Sequence, residues 1–439
     1  MRVAVAQLGP RHHYAEARVL HAAGLLDRLF TDLYAGDKPR LVRAITSIPW
    51  LARLPDVRRW LGRAAPGLPA ERVTSFDMLG IRAVLGLRRA RNEADRYRLY
   101  AEIGGAFQRA VIRHGLGRAD TLLASTGAAA HLMAYASASG MHGVLQQFDH
   151  PASVGREILA AERARWPGAE LQPSSEIPAE LWDRLLEEER RAIADAGTVL
   201  VASRYTERSM ARVGYPTHHV RLLPLAVDLA RWIPRPDRVA RGDGRLVVLY
   251  AGQIDLRKGV LYLVEALRRL RSRNVVLKLA GTCHLREDLV APPGLAVELL
   301  GPVPRPDMPE LMRSADVFVF PTLGEGFGLV QVEALACGTP VIATTECGEV
   351  VEDGISGHVV PPRDPDAIAE RLERLVSDRE HLAAMSASAR SRAAEFGWDR
   401  YGQRLLAAVR RLDGRGSTST GTEAAMAQAA YTCTVPGGA

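Results

Sequence analysis

Short unbroken apolar runs alternate along this chain with longer segments in which apolar residues recur every three or four positions. The runs predict strands at Arg2–Leu8, Thr121–Ser125, Gly143–Phe148, Thr198–Ala202 and Val220–Leu225 in the first half. In the second half they predict strands at Leu246–Ala251, Val275–Ala280, Ala296–Leu300, Asp316–Phe320 and Pro340–Thr344. Few of them alternate apolar with polar, as expected of strands covered on both faces. Val260–Ser272 places apolar residues at 260, 263, 264, 267 and 270, one face of a helix. Asp364–Ser377, Arg379–Ala394 and Trp398–Leu412 also read as helices. Strands alternating with helices imply an α/β protein with parallel, doubly wound sheets.

The pattern breaks between Val227 and Arg245, where prolines, glycines and charges cluster. The expected division is a first domain over 1–230, a second over 231–396, a helix over 397–413 packing back on the first, and a disordered tail over 414–439. Such halves would face each other across a central cleft.

Composition changes this picture little. The 439 residues are 47% hydrophobic and 24% charged, as in ordinary globular proteins. The apolar start at Val3–Leu8 is too short for a secretory leader, and no run approaches the roughly 18 residues of a membrane span. Cys283, Cys337, Cys347 and Cys433 show neither paired spacing nor a histidine array, so a metal site or disulfide framework is not expected and a cytoplasmic setting fits. The net charge of +7 is concentrated, since residues 41–120 hold 15 arginines against 7 acidic residues. That segment lacks the interleaved aromatics of a nucleic-acid surface. It reads as a solvated face, a site for an anionic acceptor, or a peripheral contact with anionic membrane at Trp50 and Trp60. Pro49 and Pro55 interrupt any long amphipathic helix there and favour the first.

Chemistry concentrates in the segment from Pro321 to Pro340. A buried strand ends at Pro321, a loop with Gly324, Gly326 and Gly328 follows, and a helix starts near Leu329. Glycines let a backbone approach a ligand, and a helix start offers free N–H groups to a pyrophosphate. Glu325 and Glu333 flank this cradle, and carboxylates suit vicinal hydroxyls. Upstream, Tyr250–Gly259 is a strand, a turn at Gly252, and two cations, Arg257 and Lys258, at a helix mouth. Two cations there could stabilise charge on a departing diphosphate.

Glu325-Gly-Phe-Gly-Leu, then Glu333-Ala and Gly338-x-Pro-Val-Ile-Ala, resembles the E-x7-E signature of retaining glycosyltransferases of the GT-B fold, glycosyltransferase family four. The resemblance is firm over 245–412 and loose over 1–230. It implies a GT-B architecture of two Rossmann-like domains. It also implies transfer of a sugar from a nucleotide diphosphate sugar (UDP- or GDP-linked) to an acceptor hydroxyl, with retention; no metal or cofactor is expected, since the donor loop has no D-x-D motif and Lys258 and Arg257 can carry the charge. By the same resemblance Glu325 faces the donor sugar and Glu333 the ribose. Thr322, Gly324, Gly326, Phe327, Gly328, Leu329 and Val330 surround the sugar and diphosphate, and Val303 lines the base pocket. The family usually has arginine where this chain has Gln253, and Arg257 is expected to take over its contact. On the acceptor side, the loop after the first strand carries Gly9, His12 and His13 toward the cleft and departs at Pro10-Arg11 from the family's usual Gly-Gly turn; the histidines are read as binding an acceptor or a phosphate, or as surface or cap histidines. The resemblance points also to the strand end at Asp149 and His150, of which Asp149 matches by position and His150 by chemistry.

A dinucleotide-dependent dehydrogenase is disfavoured, since Gly9-Pro10-Arg11 supplies no G-x-G-x-x-G turn. A phosphorylase or nucleotide-sugar epimerase on the same fold, and a non-catalytic sugar-nucleotide-binding protein, remain the competing readings.

Overall fold

The computed structural model describes residues 1–48, 50, 53–172, 177–234, 244–272 and 274–410. The expected tail at 414–439, Cys433, the end of the last helix at 411–413 and the part of the linker at 235–243 lie outside these residues.

Seven strands, β1 (Val3–Ala6), β2 (Leu26–Thr31), β3 (Val73–Ser75), β4 (Thr121–Ser125), β5 (His142–Gln147), β6 (Thr198–Val201) and β7 (Val220–Leu222), form a first sheet in the order β3-β2-β1-β4-β5-β6-β7. Six more, β8 (Leu246–Ala251), β9 (Val275–Ala280), β10 (Val297–Gly301), β11 (Val317–Phe320), β12 (Val341–Thr344) and β13 (Gly357–Val360), form a second in the order β10-β9-β8-β11-β12-β13. Every described pairing is parallel. Each sheet therefore winds outward both ways from its first strand, with its switch point at β1/β4 or β8/β11, where loops leaving the carboxyl ends diverge and leave room for a ligand. All residues of β1, β4, β6, β8, β11 and β12 are buried, which is why their sequences are unbroken apolar runs.

Two apolar clusters sandwich each sheet. The helix Ala152–Arg165 belongs by sequence to the first half, yet its Val154 and Ile158 enter a cluster otherwise built on the second sheet. Its buried Glu162 accepts from Tyr262 Oη at 2.7 Å and pairs with Arg363 at 2.6 Å. Leu171 N–H donates to His284 O and Arg286 N–H to Ala169 O, so this excursion is stitched to the opposite domain. The final helix, Trp398–Arg410, crosses the other way. Tyr401, Leu405 and Val409 join the cluster of Val5, Val19 and Leu20 under the first sheet. Tyr401 Oη donates to the buried Glu16 carboxylate at 2.5 Å, and Gln146 Nε2 donates to the same oxygen at 3.0 Å.

Candidate active site

β11 delivers the chain to Pro321, and the loop to Gly328 is held from beneath. Thr322 is fully buried; its hydroxyl accepts from Gly324 N–H at 3.4 Å and its carbonyl accepts from Thr344 Oγ1 at 2.6 Å. Its side chain thus fixes the loop rather than lining its surface. Phe327 is buried against Phe396, and its carbonyl accepts from Gly348 N–H and Gln331 Nε2. Gly328, at φ +78°, turns the chain into the helix Leu329–Ala336 and contributes no capping side chain. The first N–H groups of that helix, at the half-buried Leu329 and Val330, have no acceptor within the helix and carry its positive dipole end.

Arg257 and Lys258 lie 67 residues before this loop yet close on it. Lys258 Nζ pairs with Glu325, and Arg257 donates to Gly324 O at 2.7 Å with its guanidinium 3.7 Å from Glu325. The approach requires glycine at 259: its φ is +69°, and a Cβ there would lie 2.0 Å from Pro321 O. Burial works against the Arg257 charge, but the carboxylates of Glu325, Asp149 and Asp255 outweigh it and raise its pKa. Gln253 is exposed on the outer side of the turn. Gly252 contacts Gly281 of the neighbouring loop, and Val303 packs half-buried on the second domain's core.

Glu333 is 2% exposed, and its partner is one that sequence pattern did not suggest. Arg305 donates to both its oxygens, Nη1 to Oε2 at 3.1 Å, while stacking 5.0 Å from the Trp232 ring centre. Burial pushes the Glu333 carboxyl pKa up, and Arg305 opposes that rise.

From the first domain, the loop after β5 meets the glycine loop directly. A Cβ on Gly326 would stand 2.0 Å from Phe148 O and 2.6 Å from Asp149 Cα. The glycines of this loop therefore admit the opposite domain's backbone as well as any ligand. Asp149 and His150 differ in exposure, and His150 N–H donates to Asp149 Oδ1 at 2.9 Å. The Asp149 side chain is half exposed and its charge acts on Arg257. His150 is buried; its Nδ1 is 3.0 Å from Pro151 O, its ring stands edge-on to Tyr205, and a Cβ on Gly324 would meet it at 3.2 Å. Its Nε2 has no hydrogen-bond partner among the described residues and lies 3.7 Å from Asp149 Oδ1.

Gly9 N–H donates to Asp32 at 2.9 Å, and the turn continues through three left-handed residues, His12, His13 and Tyr14. Such backbone costs on the order of 1–3 kcal/mol per residue and persists only where surroundings impose it. The two histidines, expected together on the acceptor side, part company. His12 is taken up by structure: Nε2 is 3.2 Å from the Ala226 backbone, Nδ1 is 3.6 Å from Glu16, and its ring packs on Trp398 and Tyr401. His13 keeps contact with solvent. Desolvation by burial, then the neighbouring His12, Arg18, Arg305 and Arg231, lower its pKa. Arg18, Arg231 and Arg305, scattered across the sequence, thus act together on His13.

Residues 245–378 match the family described as Glycosyl transferases group 1. A D-inositol 3-phosphate glycosyltransferase of Thermobispora bispora is 35% identical over 249 residues, covering 51% of this chain and 57% of that protein. A protein of the same name from Paenarthrobacter aurescens is 34% identical over 241 residues, covering 49% and 58%. The chain thus spans little more than half the length of these relatives. Among solved structures, a sucrose-phosphate synthase from Thermosynechococcus elongatus superposes with a TM-score of 0.62 at 18% identity, covering 94% of this chain and all of that one. HepE of Anabaena in complex with UDP superposes with a TM-score of 0.57 at 19% identity and the same coverage. These two establish the fold, the paired Rossmann-like domains of GT-B glycosyltransferases. The second domain, with its glycine loop, paired glutamates and Arg257-Lys258 turn, is thus similar to the group 1 glycosyl transferases over residues 245–378.

Proposed function

We propose that this protein moves a sugar from a nucleoside diphosphate sugar, UDP- or GDP-linked, to an acceptor hydroxyl with retention of configuration. The observation that carries the proposal is the meeting of Lys258 and Arg257 with Glu325 beside an uncapped helix start. Two fixed cations and a positive dipole end would hold the diphosphate and stabilise the charge that grows on it as the glycosidic bond breaks. Glu325, already aligned by Lys258, would accept hydrogen bonds from the sugar hydroxyls. Glu333 would accept the ribose hydroxyls, and Val303 would line the base. Asp149, half exposed and acting on Arg257, would orient the acceptor, and the buried His150 would support the loop. Solved neighbours described in complex with UDP and with UDP-glucose support the donor class.

A mass-spectrometric screen for slow hydrolysis of a panel of nucleotide sugars tests this without an acceptor. Release of nucleoside diphosphate from one or two donors is expected. Absence of both hydrolysis and nucleotide binding would overturn it, and release requiring inorganic phosphate in place of nucleotide would indicate a phosphorylase.

The acceptor is proposed to reach the enzyme at a membrane. Among the described residues, nine of the fourteen exposed large apolar side chains fall between Leu41 and Tyr100, Trp50 being 67% and Met78 75% exposed. They share this region with most of the arginine excess, and an ion pair between Asp56 and Arg88 joins the helices Pro55–Leu61 and Asp77–Arg89. Apolar side chains among arginines suit an anionic bilayer surface, where each basic residue contributes ~1 kcal/mol. No described helix is long and apolar enough to cross the membrane. Sedimentation with phosphatidylglycerol vesicles, lost in Trp50→Ser/Met78→Ser, is expected; equal sedimentation of that variant would refute this surface.

A further inference from the structure

The end of the first domain opposite the glycine loop holds a cavity of about 410 Å³, lined by Arg2, Arg28, Arg72, Arg118, His114 and Asp27. These residues stand at the amino ends of β1, β2, β3 and β4, so the cavity is separated from the proposed transfer site by the length of the sheet. Among the described residues four arginines and one carboxylate line it, and Asp27 lies 3.8 Å from Arg2. Nearby Asp120 accepts from the Arg2 backbone N–H at 3.0 Å and lies 3.6 Å from the terminal amine.

Two of the arginines are tethered by protein acceptors. Arg28 Nη1 donates to Thr74 Oγ1 at 3.0 Å, and Arg72 Nη1 donates to Leu26 O and Asp27 O at 3.4 and 3.2 Å. A guanidinium has five N–H donors in a rigid fork, so each tether fixes the group and leaves further donors. Both side chains are half-buried, whereas Arg118 stands exposed at the rim. Like charges gathered in a concave site raise each other's energy unless an anion joins them, and such a site focuses field on a multiply charged ligand.

We propose that this cavity binds a phosphate-bearing group, supplied by a small phosphorylated metabolite or by a lipid headgroup, at a second site independent of sugar transfer. Its volume lies in the range of small-molecule pockets. Guanidinium forks match phosphate oxygens in pairs, which a lone carboxylate would not require in such number.

The test is calorimetric titration of inorganic pyrophosphate into the full chain at constant ionic strength. Lys258→Ala serves as background, to suppress uptake at the proposed donor site. Pyrophosphate binding that survives in Lys258→Ala and weakens tenfold or more on adding Arg118→Glu or Arg28→Ala is expected. Arg118 is exposed, so its replacement leaves folding intact, and donor hydrolysis by Arg118→Glu alone should match the parent. Vesicles of phosphatidic acid, used in the Trp50→Ser/Met78→Ser background, distinguish the sources: sedimentation that is lost on adding Arg118→Glu assigns a headgroup, and no sedimentation in that background assigns a soluble ligand. Pyrophosphate binding that disappears with Lys258→Ala alone, or is indifferent to both arginine replacements, would overturn the site.

Discussion

Gly326→Ala isolates the role of contact between the two domains. A methyl group at 326 would sit 2.0 Å from Phe148 O and 2.6 Å from Asp149 Cα, both main-chain atoms that no rotamer change can move aside. Restoring an ordinary 3.4 Å contact requires the loops to part by at least about 1.4 Å. Nothing in the Arg257–Lys258–Glu325 group need shift, because these belong to one domain. A misplacement of roughly 1 Å between groups that must cooperate costs on the order of 10²-fold in rate. The expected outcome is therefore a ~10²-fold fall in kcat with nucleotide affinity within about threefold of the parent. Donor turnover at saturation and calorimetric titration of the nucleoside diphosphate on the same preparation measure the two quantities. Parental kcat would refute the reasoning, since the Gly326–Phe148 contact would then not belong to the working arrangement. An equal loss of nucleotide affinity would show that the loop itself, rather than the apposition of domains, had been damaged.

Lys258→Ala and Arg257→Ala should each lower kcat/KM by ~10²–10³, as when one stabiliser of transition-state charge is removed, whereas Gln253→Ala should leave steady-state kinetics unchanged; the reverse order would mean that Gln253 holds the phosphate. Glu333→Ala should weaken nucleotide binding by ~1.5–3 kcal/mol, read by calorimetry. Because burial raises the Glu333 pKa, it takes up its proton at a higher pH than an ordinary glutamate. Nucleotide affinity should therefore begin to fall on acidification while other carboxylates are still ionised, a limb absent from Glu333→Gln. Asp149→Ala should abolish most transfer at saturating donor while His150→Ala lowers thermal stability more than kcat; the opposite result would make His150 the acceptor-side group.

Much of the second domain was legible from sequence because β8, β11 and β12 are buried on both faces and its loop chemistry is local. Glu325, the three glycines and Glu333 lie within ten positions of one another, so spacing alone suggests a cradle. The strands missed were β2, β3 and β13. Leu26-Asp-Arg-Leu-Phe-Thr carries two charges in its middle, Val73–Ser75 spans three residues, and Gly357-His-Val-Val opens on glycine and histidine. β3 and β13 are edge strands, and β3 is largely half-buried, where burial constrains composition less. Arg305 was invisible for another reason: it meets Glu333 across 28 residues through a loop that no periodicity describes. The parting of the histidine pair after β1 was not legible, because adjacent residues with identical chemistry are separated by backbone geometry, His12 turned to Ala226 and Trp398 and His13 exposed.

The clasp of Tyr401 on Glu16 bears on how the protein is made. Its partners lie 385 residues apart, so during synthesis Glu16 waits for a helix not yet translated. At 5–20 residues per second that delay is roughly 20–80 s, far longer than the collapse of a domain. Throughout it, the apolar face that Leu405 and Val409 later cover stays open on the first sheet, beside a carboxylate lacking one of its donors. The nascent first domain is thus a natural client for a chaperone. A chain ended artificially near residue 230 should be recovered in aggregates unless the segment 398–410 is supplied as a separate peptide.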